Sequence, residues 1–565
     1  MPSVLRQFVL DGDAGSEPYK VLRLPGSAFA ASDVTRSITL RRLWLDTFDW
    51  RLYRSGLTLE QVSSRGAAEI VLTGRDGTVI AAEPLGRRQP GERGENGQVR
   101  EIERGASPTR GEGSRRETGQ PQGGRGENGP PQGLRVAWPA LLDALPQGPL
   151  RDHLGPVVGV RALLPVARAV STVREKRVLN ADDKTIARLT VDRMSVSYPA
   201  AGHVAPRLTV TALRGYQVQA LRLADLLAAA PGVADGSQSA LEAAVAAAGR
   251  RPGDYSSKID VKLAPRMPAA AALAAVLTAL FDTLEANVNG TVRDLDTEFL
   301  HDLRIAVRRT RSALKLAGDV LPGDLTRRFR QEFKWLGDLT TPTRDLDVYL
   351  LGYSGMADGL IAATADELRP FHGHLQRTRA ATQRALVRGL RSARFSRLAR
   401  EWRQALGAAA AAGPRPTVAR LAAARIARAH RRVIRDGTAI GATSPPESLH
   451  ELRKRCKELR YLLEFFGSLY DPAQHWQAVR DLKALQDCLG EFQDTQVQQD
   501  ELRAFAAQMM EERAAPATTL LAMGEIAAGL AGRQRQARIE FAGRFRDFAS
   551  PASQDRIQAL TRAAA

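Results

Sequence analysis

The sequence predicts an α+β chain of more than one domain, an antiparallel β-rich part followed by an all-α part, on three observations. At 565 residues the chain exceeds one ordinary core, and two to four compact units are expected. Its first 213 residues carry short β-like runs bounded by turn residues, whereas beyond Met267 nearly every segment is helical by period. The helical half also contains an internal duplication that can be checked by hand.

Taken in order, Tyr19–Leu24 and Ala68–Thr73 read as strands, the second followed by the turn-like Gly74-Arg-Asp-Gly77. From Gly86 to Gly133 the chain is Gly, Arg, Glu, Gln and Pro, with RGEN at 93–96 and again at 125–128, and has almost nothing to bury. A disordered insertion is expected over 86–133. Strand patterning resumes at Ala187–Asp192 and Arg207–Leu213, so the insertion interrupts one β-rich domain, 1–85 with 134–222. A helical segment and linker follow over 223–264, with the boundary at the Gly/Pro/Asp/Ser patch Arg250–Ser257. The helical domain is expected over 265–550, as repeats of about 265–400 and 415–550, with breaks near Pro322, Gly352, Pro414–Pro416, Pro445 and Pro472.

Eighty-one Lys and Arg stand against 62 Asp and Glu, a net charge of +19 that implies a polyanion, nucleic acid or anionic membrane as partner. Aromatics at 5% are too few for a protein that works mainly by stacking bases, so nucleic acid is at most a weak competitor. Two cysteines, Cys456 and Cys488, exclude a disulfide framework or a four-thiolate zinc site and fit a reducing cytoplasm. The N-terminus lacks the pattern of a secretory signal, and Leu221–Ala230 and Pro268–Phe281 read as too short or too Ala-rich to span a bilayer, so no membrane insertion is expected. No GxSxG, P-loop or HExxH occurs, and no catalytic residue, metal ligand or cofactor is assigned. Oligomeric state is not fixed by these features.

Adding 149 to a position in the first repeat gives its counterpart in the second without a gap: His301 and His450, Arg304 and Arg453, Arg308 and Lys457, Arg311 and Arg460, Lys334 and Lys483, Asp345 and Asp494, Val348 and Val497. In each copy the His and three cations fall at offsets 0, 3, 7 and 10, within an arc of roughly 80° on a helix. Leu303, Leu314, Leu452 and Leu463 are expected to face the core. Stacked like charges repel by a few tenths of a kcal/mol per adjacent pair, a cost that folding alone does not ask for twice. Phosphate oxygens would relieve it through charge-assisted hydrogen bonds of roughly 1.5–3 kcal/mol each. An isolated basic helix is ordinarily a solvated face; the matched duplication argues otherwise here. Lys315 extends the first stripe while its counterpart Glu464 ends the second, and Gln493 stands opposite Arg344. Asp345 and Asp494 are expected to cap helix ends or pair with nearby Arg.

His301-Asp-Leu-Arg-Ile-Ala-Val-Arg-Arg-Thr-Arg, Lys334-Trp-Leu-Gly-Asp-Leu with Arg344-Asp-Leu-Asp-Val348, and His450-Glu-Leu-Arg-Lys-Arg-Cys-Lys-Glu-Leu-Arg-Tyr together resemble the CHAD domain, the conserved-histidine α-helical domain. The resemblance implies a pseudo-two-fold helical bundle whose basic channel binds inorganic polyphosphate. It further implies a channel lined by His301, Arg304, Arg308, Arg311, Lys315 and Lys334 on one side and by His450, Arg453, Lys457, Arg460 and Lys483 on the other. A cytoplasmic protein, associated with polyphosphate granules, would fit.

Leu45-Asp-Thr-Phe-Asp-Trp-Arg-Leu-Tyr-Arg-Ser-Gly-Leu-Thr-Leu59 is similar to a stretch of the CYTH family, whose β-tunnel hydrolyses or binds triphosphates with paired strand carboxylates that hold metal. Against that pattern, Glu17-Pro-Tyr-Lys supplies at most one carboxylate, Glu60-Gln-Val62 stands where alternating Arg is expected, and Leu208–Leu213 has no acid. A degenerate, non-catalytic domain is expected, with a triphosphate hydrolase or a nucleic-acid binder as alternatives. Arg161, Arg168, Arg174, Lys176, Arg177, Arg188 and Asp192 remain as tunnel lining or as surface charge.

Overall fold

A computed structural model describes residues 3–11, 29–31, 36–65, 67–85, 136–236, 238–316, 320–410 and 416–563. The expected insertion at 86–133, the strand at Tyr19–Leu24 and Glu17 lie outside the described residues. The chain divides into two compact units, Met1–Tyr255 and Ser256–Ala565.

The first unit is one antiparallel sheet of β1 (Ser3–Leu10), β2 (Ala30–Ala31), β3 (Arg36–Asp46), β4 (Leu57–Ser64), β5 (Ala67–Gly74), β6 (Val79–Leu85), β7 (Leu164–Leu179), β8 (Thr185–Tyr198), β9 (Gly202–His203), β10 (Arg207–Ala212) and β11 (Val233–Asp235), in the order β11-β1-β10-β8-β7-β3-β4-β5-β6. Alternation sets its faces: Leu189 and Val191 on β8, and Leu208, Val210 and Ala212 on β10, are buried together. The short helix α1 (Arg51–Arg54) joins β3 to β4. Its corner is pinned by the buried Asp46 carboxylate, which accepts from the backbone N–H of Thr47, Leu52 and Tyr53 at 2.7, 2.9 and 2.9 Å. Helix α2 (Pro149–Val158) packs Leu150, Leu154 and Val158 onto the β4–β6 end. Strand patterning fades after residue 213, yet the unit continues to Tyr255. β11 adds to β1, α3 (Gln217–Ala228) buries Leu223 and Leu227 over Phe8 and Leu10, and α4 (Ala240–Ala247) covers Trp50 and Val196.

The second unit holds two five-helix repeats. The first comprises α5 (Ala269–Arg293), α6 (Thr297–Leu316), α7 (Gly323–Asp358), α8 (Ala365–Leu390) and α9 (Ala393–Ala410). The second comprises α10 (Val418–Thr438), α11 (Pro446–Phe465), α12 (Pro472–Glu511), α13 (Ala517–Phe548) and α14 (Pro551–Ala563). The starts of α5, α6 and α7 map onto those of α10, α11 and α12 by the same shift of 149. Where the repeats meet, the contact is reciprocal. Ala269 N–H donates to the Pro416 carbonyl at 2.9 Å, and its counterpart Val418 N–H donates to the Met267 carbonyl, counterpart of Pro416, at 2.8 Å. Equivalent groups thus bond each other across a local pseudo-dyad.

Leu303, Leu314, Leu452 and Leu463 all lie in the main core, and α5, long and apolar enough to cross a membrane, buries Leu273, Leu277, Leu280, Phe281 and Leu284 there. A second cluster joins Leu346, Tyr349 and Phe371 to Leu502, Met509 and Met523 at the far ends of α7, α8, α12 and α13. The break expected near Gly352 is absent: α7 runs through it for 36 residues. A mid-helix glycine costs only about 1 kcal/mol against alanine, which the flanking packing of Leu346 and Tyr349 outweighs. Pro322, Pro445 and Pro472 do mark helix starts. Both thiols are buried and free, and burial pushes Cys456 up to about 12, far from reactive.

Candidate anion-binding site

The two stripes converge. A cavity of about 540 Å³ is lined from both repeats by His301 and His450, Arg304 and Arg453, Asp345 and Asp494, and Val348 and Val497, with Ile305, Arg308, Arg344, Tyr349, Gln493, Gln498 and Glu501 completing its wall. Each of the four pairs is related by the shift of 149, so the cavity lies across the pseudo-symmetry of the bundle. Its side chains are held by facing helices. Tyr349 Oη donates to the Gln498 carbonyl at 3.1 Å, and Gln493 Oε1 accepts from His450 Nδ1 at 2.6 Å, which fixes that imidazole and leaves Nε2 for a ligand.

Positive charge is crowded here beyond what the carboxylates balance. Arg304 donates to Thr341 Oγ1 and lies 3.6 Å from Asp345; burial, opposed by Asp345 and reinforced by Arg308, Arg344 and Arg311, pushes its pKa down. Arg453 donates to Asp494 at 2.8 Å while its buried Nε has no partner. Lys457, the counterpart of Arg308, does not line the cavity but lies beside it, and it is brought down to about 8, first by burial and then by Arg453 and Arg308, with Asp494 opposing and Arg304 adding a little more. A lysine so depressed marks a place where cations crowd a half-buried wall, the condition under which an incoming anion gains most.

The outer members of the stripes are engaged elsewhere. Lys334 pairs with Asp338 at 2.8 Å and Lys483 with Asp487 at 2.5 Å, the same i,i+4 pair in both repeats. Arg460 donates to Glu464 at 2.7 Å, Lys315 lies 3.9 Å from Glu458, and Arg311 is exposed beside Gly337. The break in symmetry at Glu464 has a structural reason. Glu464 accepts from Arg309 at 2.9 Å, and the counterparts of that pair, Lys315 and Glu458, form the second contact with the signs exchanged. A faithful duplication would have set four cations against one another.

Asp345 and Asp494 sit inside long helices, away from the ends, and the stripe arginines are their partners. Arg344 and Gln493 also reach the cavity. Helical spacing from the His-led stripes does not find them because they lie on α7 and α12; the only signal is the register, which sets them opposite each other.

In the sheet unit, Arg161 is buried 3.6 Å from Asp49, Arg168, Arg174, Arg177 and Arg188 are exposed, and Lys176 is half-buried. Arg42 on β3 bridges Glu60 on β4 and Asp192 on β8, the latter at 2.9 Å, so those carboxylates hold a guanidinium. Among the described residues no group of three or more His, Cys, Asp or Glu is placed to hold a metal ion.

The family model described as the CHAD domain matches residues 275–503. Among solved structures, the chain is similar to the crystal structure of the CHAD domain from the plant Ricinus communis, at 24% identity and a TM-score of 0.40 over 54% of this chain and 94% of that one. It is also similar to PptA from Streptomyces chartreusis, at 19% identity and a TM-score of 0.39 over 49% of this chain and 99% of that one. No curated protein matches the sequence.

Proposed function

Residues 275–503 being a CHAD domain, we propose that this domain binds inorganic polyphosphate, without catalysis, in the cavity between its repeats. One observation carries the reading: Arg304 and Arg308 from one repeat and Arg453 from the other line one cavity, and Lys457, just outside that lining, is pushed down to about 8 by burial and by the charges of the same three arginines. A linear anion with one charge per phosphate satisfies such a wall from end to end. Guanidiniums hold its oxygens in bidentate fashion, and His301 and His450 face it from each repeat, His450 donating from Nε2 in its imidazolium form while Nδ1 stays on Gln493. Arg311 extends the field to the chain as it leaves the cavity, and Lys315, Lys334, Arg460 and Lys483 join it by exchanging their acidic partners for phosphate oxygens. A cytoplasmic protein that works at polyphosphate granules is the setting proposed for it, with the sheet unit as a degenerate, non-catalytic companion in which Arg42 neutralises Glu60 and Asp192.

The test is filter binding of long-chain polyphosphate to the full chain across a salt series. Affinity should fall steeply with salt. The combined substitution Arg304→Ala, Arg308→Ala, Arg453→Ala and Lys457→Ala should weaken binding by about a hundredfold or more at low salt. Unchanged affinity in that variant, or RNA outcompeting polyphosphate at equal phosphate concentration, defeats the reading.

A further inference from the structure

The duplication supplies an internal control, because each repeat shows which residues the shared framework needs at a given place. In both repeats the first and last helices enclose a groove, between α5 and α9 in one and between α10 and α14 in the other. In the first repeat that groove is floored by Ala275, Thr278 and Ala279, and Asp282 and Glu285 hold Arg403 across it, the former at 2.9 Å. In the second, Arg428, Arg431, Arg432 and Arg435 stand where the first has Ala279, Asp282, Thr283 and Ala286. Since the first repeat folds without these charges, the framework does not require them.

The same comparison holds at the floor. The second groove is a cavity of about 780 Å³, and His430 lines it while only 6% exposed, its Nε2 without a hydrogen-bond partner. The counterpart of His430 is Phe281, 1% exposed in the core of the first repeat. An apolar ring therefore fills this place well, and an imidazole with an unsatisfied nitrogen there carries a desolvation cost that packing does not explain. Arg428 and Arg431 are exposed and have no ion pair among the described residues, and Arg432 reaches Glu458 only at 3.9 Å. Gln554 and Gln558 line the opposite wall, and Ile434 and Ile557 give it an apolar flank.

We propose that the groove between α10 and α14 is a second anion site for a small ligand bearing a triphosphate group. Arg428 and Arg431 clamp the phosphates, and His430 donates from Nε2 to a phosphate oxygen at the floor. It shares no lining residue with the central cavity, and it stands whatever that cavity binds.

Isothermal titration of the full chain with inorganic tripolyphosphate and, separately, with ATP tests this. Three proteins are compared: the wild type, Arg428→Ala/His430→Phe/Arg431→Asp, and Arg304→Ala/Arg308→Ala/Arg453→Ala. The first triple variant installs the residues that the other repeat already packs, so its melting temperature should not fall. Should it unfold, Arg428→Ala alone, at an exposed position, replaces it. At least one ligand should show a site that the groove substitutions weaken tenfold or more and the central substitutions leave intact; which ligand it is separates an inorganic from a nucleotide source. A binding isotherm that the groove substitutions do not change for either ligand, or a site lost only with the central arginines, overturns the proposal.

Discussion

Replacing Lys457 with Met should abolish a proton uptake that accompanies polyanion binding. Lys457 titrates near 8 in the free protein because burial and the cations Arg453 and Arg308 disfavour its charge. Phosphates placed beside it remove that penalty and return it toward the ordinary lysine value of about 10.4. The bound state then has the higher pKa, so binding is strongest below pH 8 and weakens as pH rises through it. At pH 8 half of the free protein carries the proton and nearly all of the complex does, an uptake of about half a proton. Between pH 7 and pH 9 affinity should fall about tenfold, since each pH unit above the free pKa costs a factor of ten until the bound pKa is approached. Titration calorimetry at pH 8 in buffers of different ionisation enthalpy measures the uptake directly. The Lys457→Met protein should bind more weakly at pH 7, take up no proton and show a flat affinity to pH 9. An equal uptake in the variant, or none in the wild type, refutes the crowding of cations around Lys457 as its origin.

Asp345 and Asp494 occupy Arg304 and Arg453 in the free protein, so an anion competes with them; Asp345→Asn with Asp494→Asn should raise polyphosphate affinity by roughly three- to tenfold in filter binding, and a loss would mean that they position the arginines instead. Glu464→Lys sets a cation against Arg309 and Arg460 and should cost about 1–3 kcal/mol by denaturant unfolding, with the exchange Arg309→Glu/Glu464→Arg recovering part of the loss. Burial and Arg431 bring His430 down to about 4. Its folded pKa lies below the unfolded value of about 6.5, so the stability it contributes is present above pH 6.5 and is lost as pH falls toward 4, by up to about 3 kcal/mol. The His430→Phe protein should lack this share of acid sensitivity in melts between pH 7 and 4.

Much of the helical unit is written in short-range pattern. Period and proline mark where α7, α11 and α12 begin, and a constant shift of 149 relates the repeats because a duplicated helix keeps its spacing while its surface changes. Gly352 shows the limit of local punctuation: one glycine is a weak signal against the packing of Leu346 and Tyr349, which no local window contains. The extent of the sheet unit shows the same thing, since Val233–Asp235 is a strand only because β1 offers it an edge.

The stripes themselves, His301 to Arg311 and His450 to Arg460, follow from sequence alone, because helical spacing is a property of one segment. That Arg304, Arg308 and Arg453 share one wall with Lys457 within reach of their charge, while Lys334 and Lys483 turn to their own aspartates, was decided by tertiary structure. So was the reason for Glu464, which looks like a lapse in the repeat and is one half of an ion pair with Arg309 across it. Charge along a helix can be read residue by residue, but burial and the sign of the facing residue depend on which helices meet, and only the packed bundle fixes that.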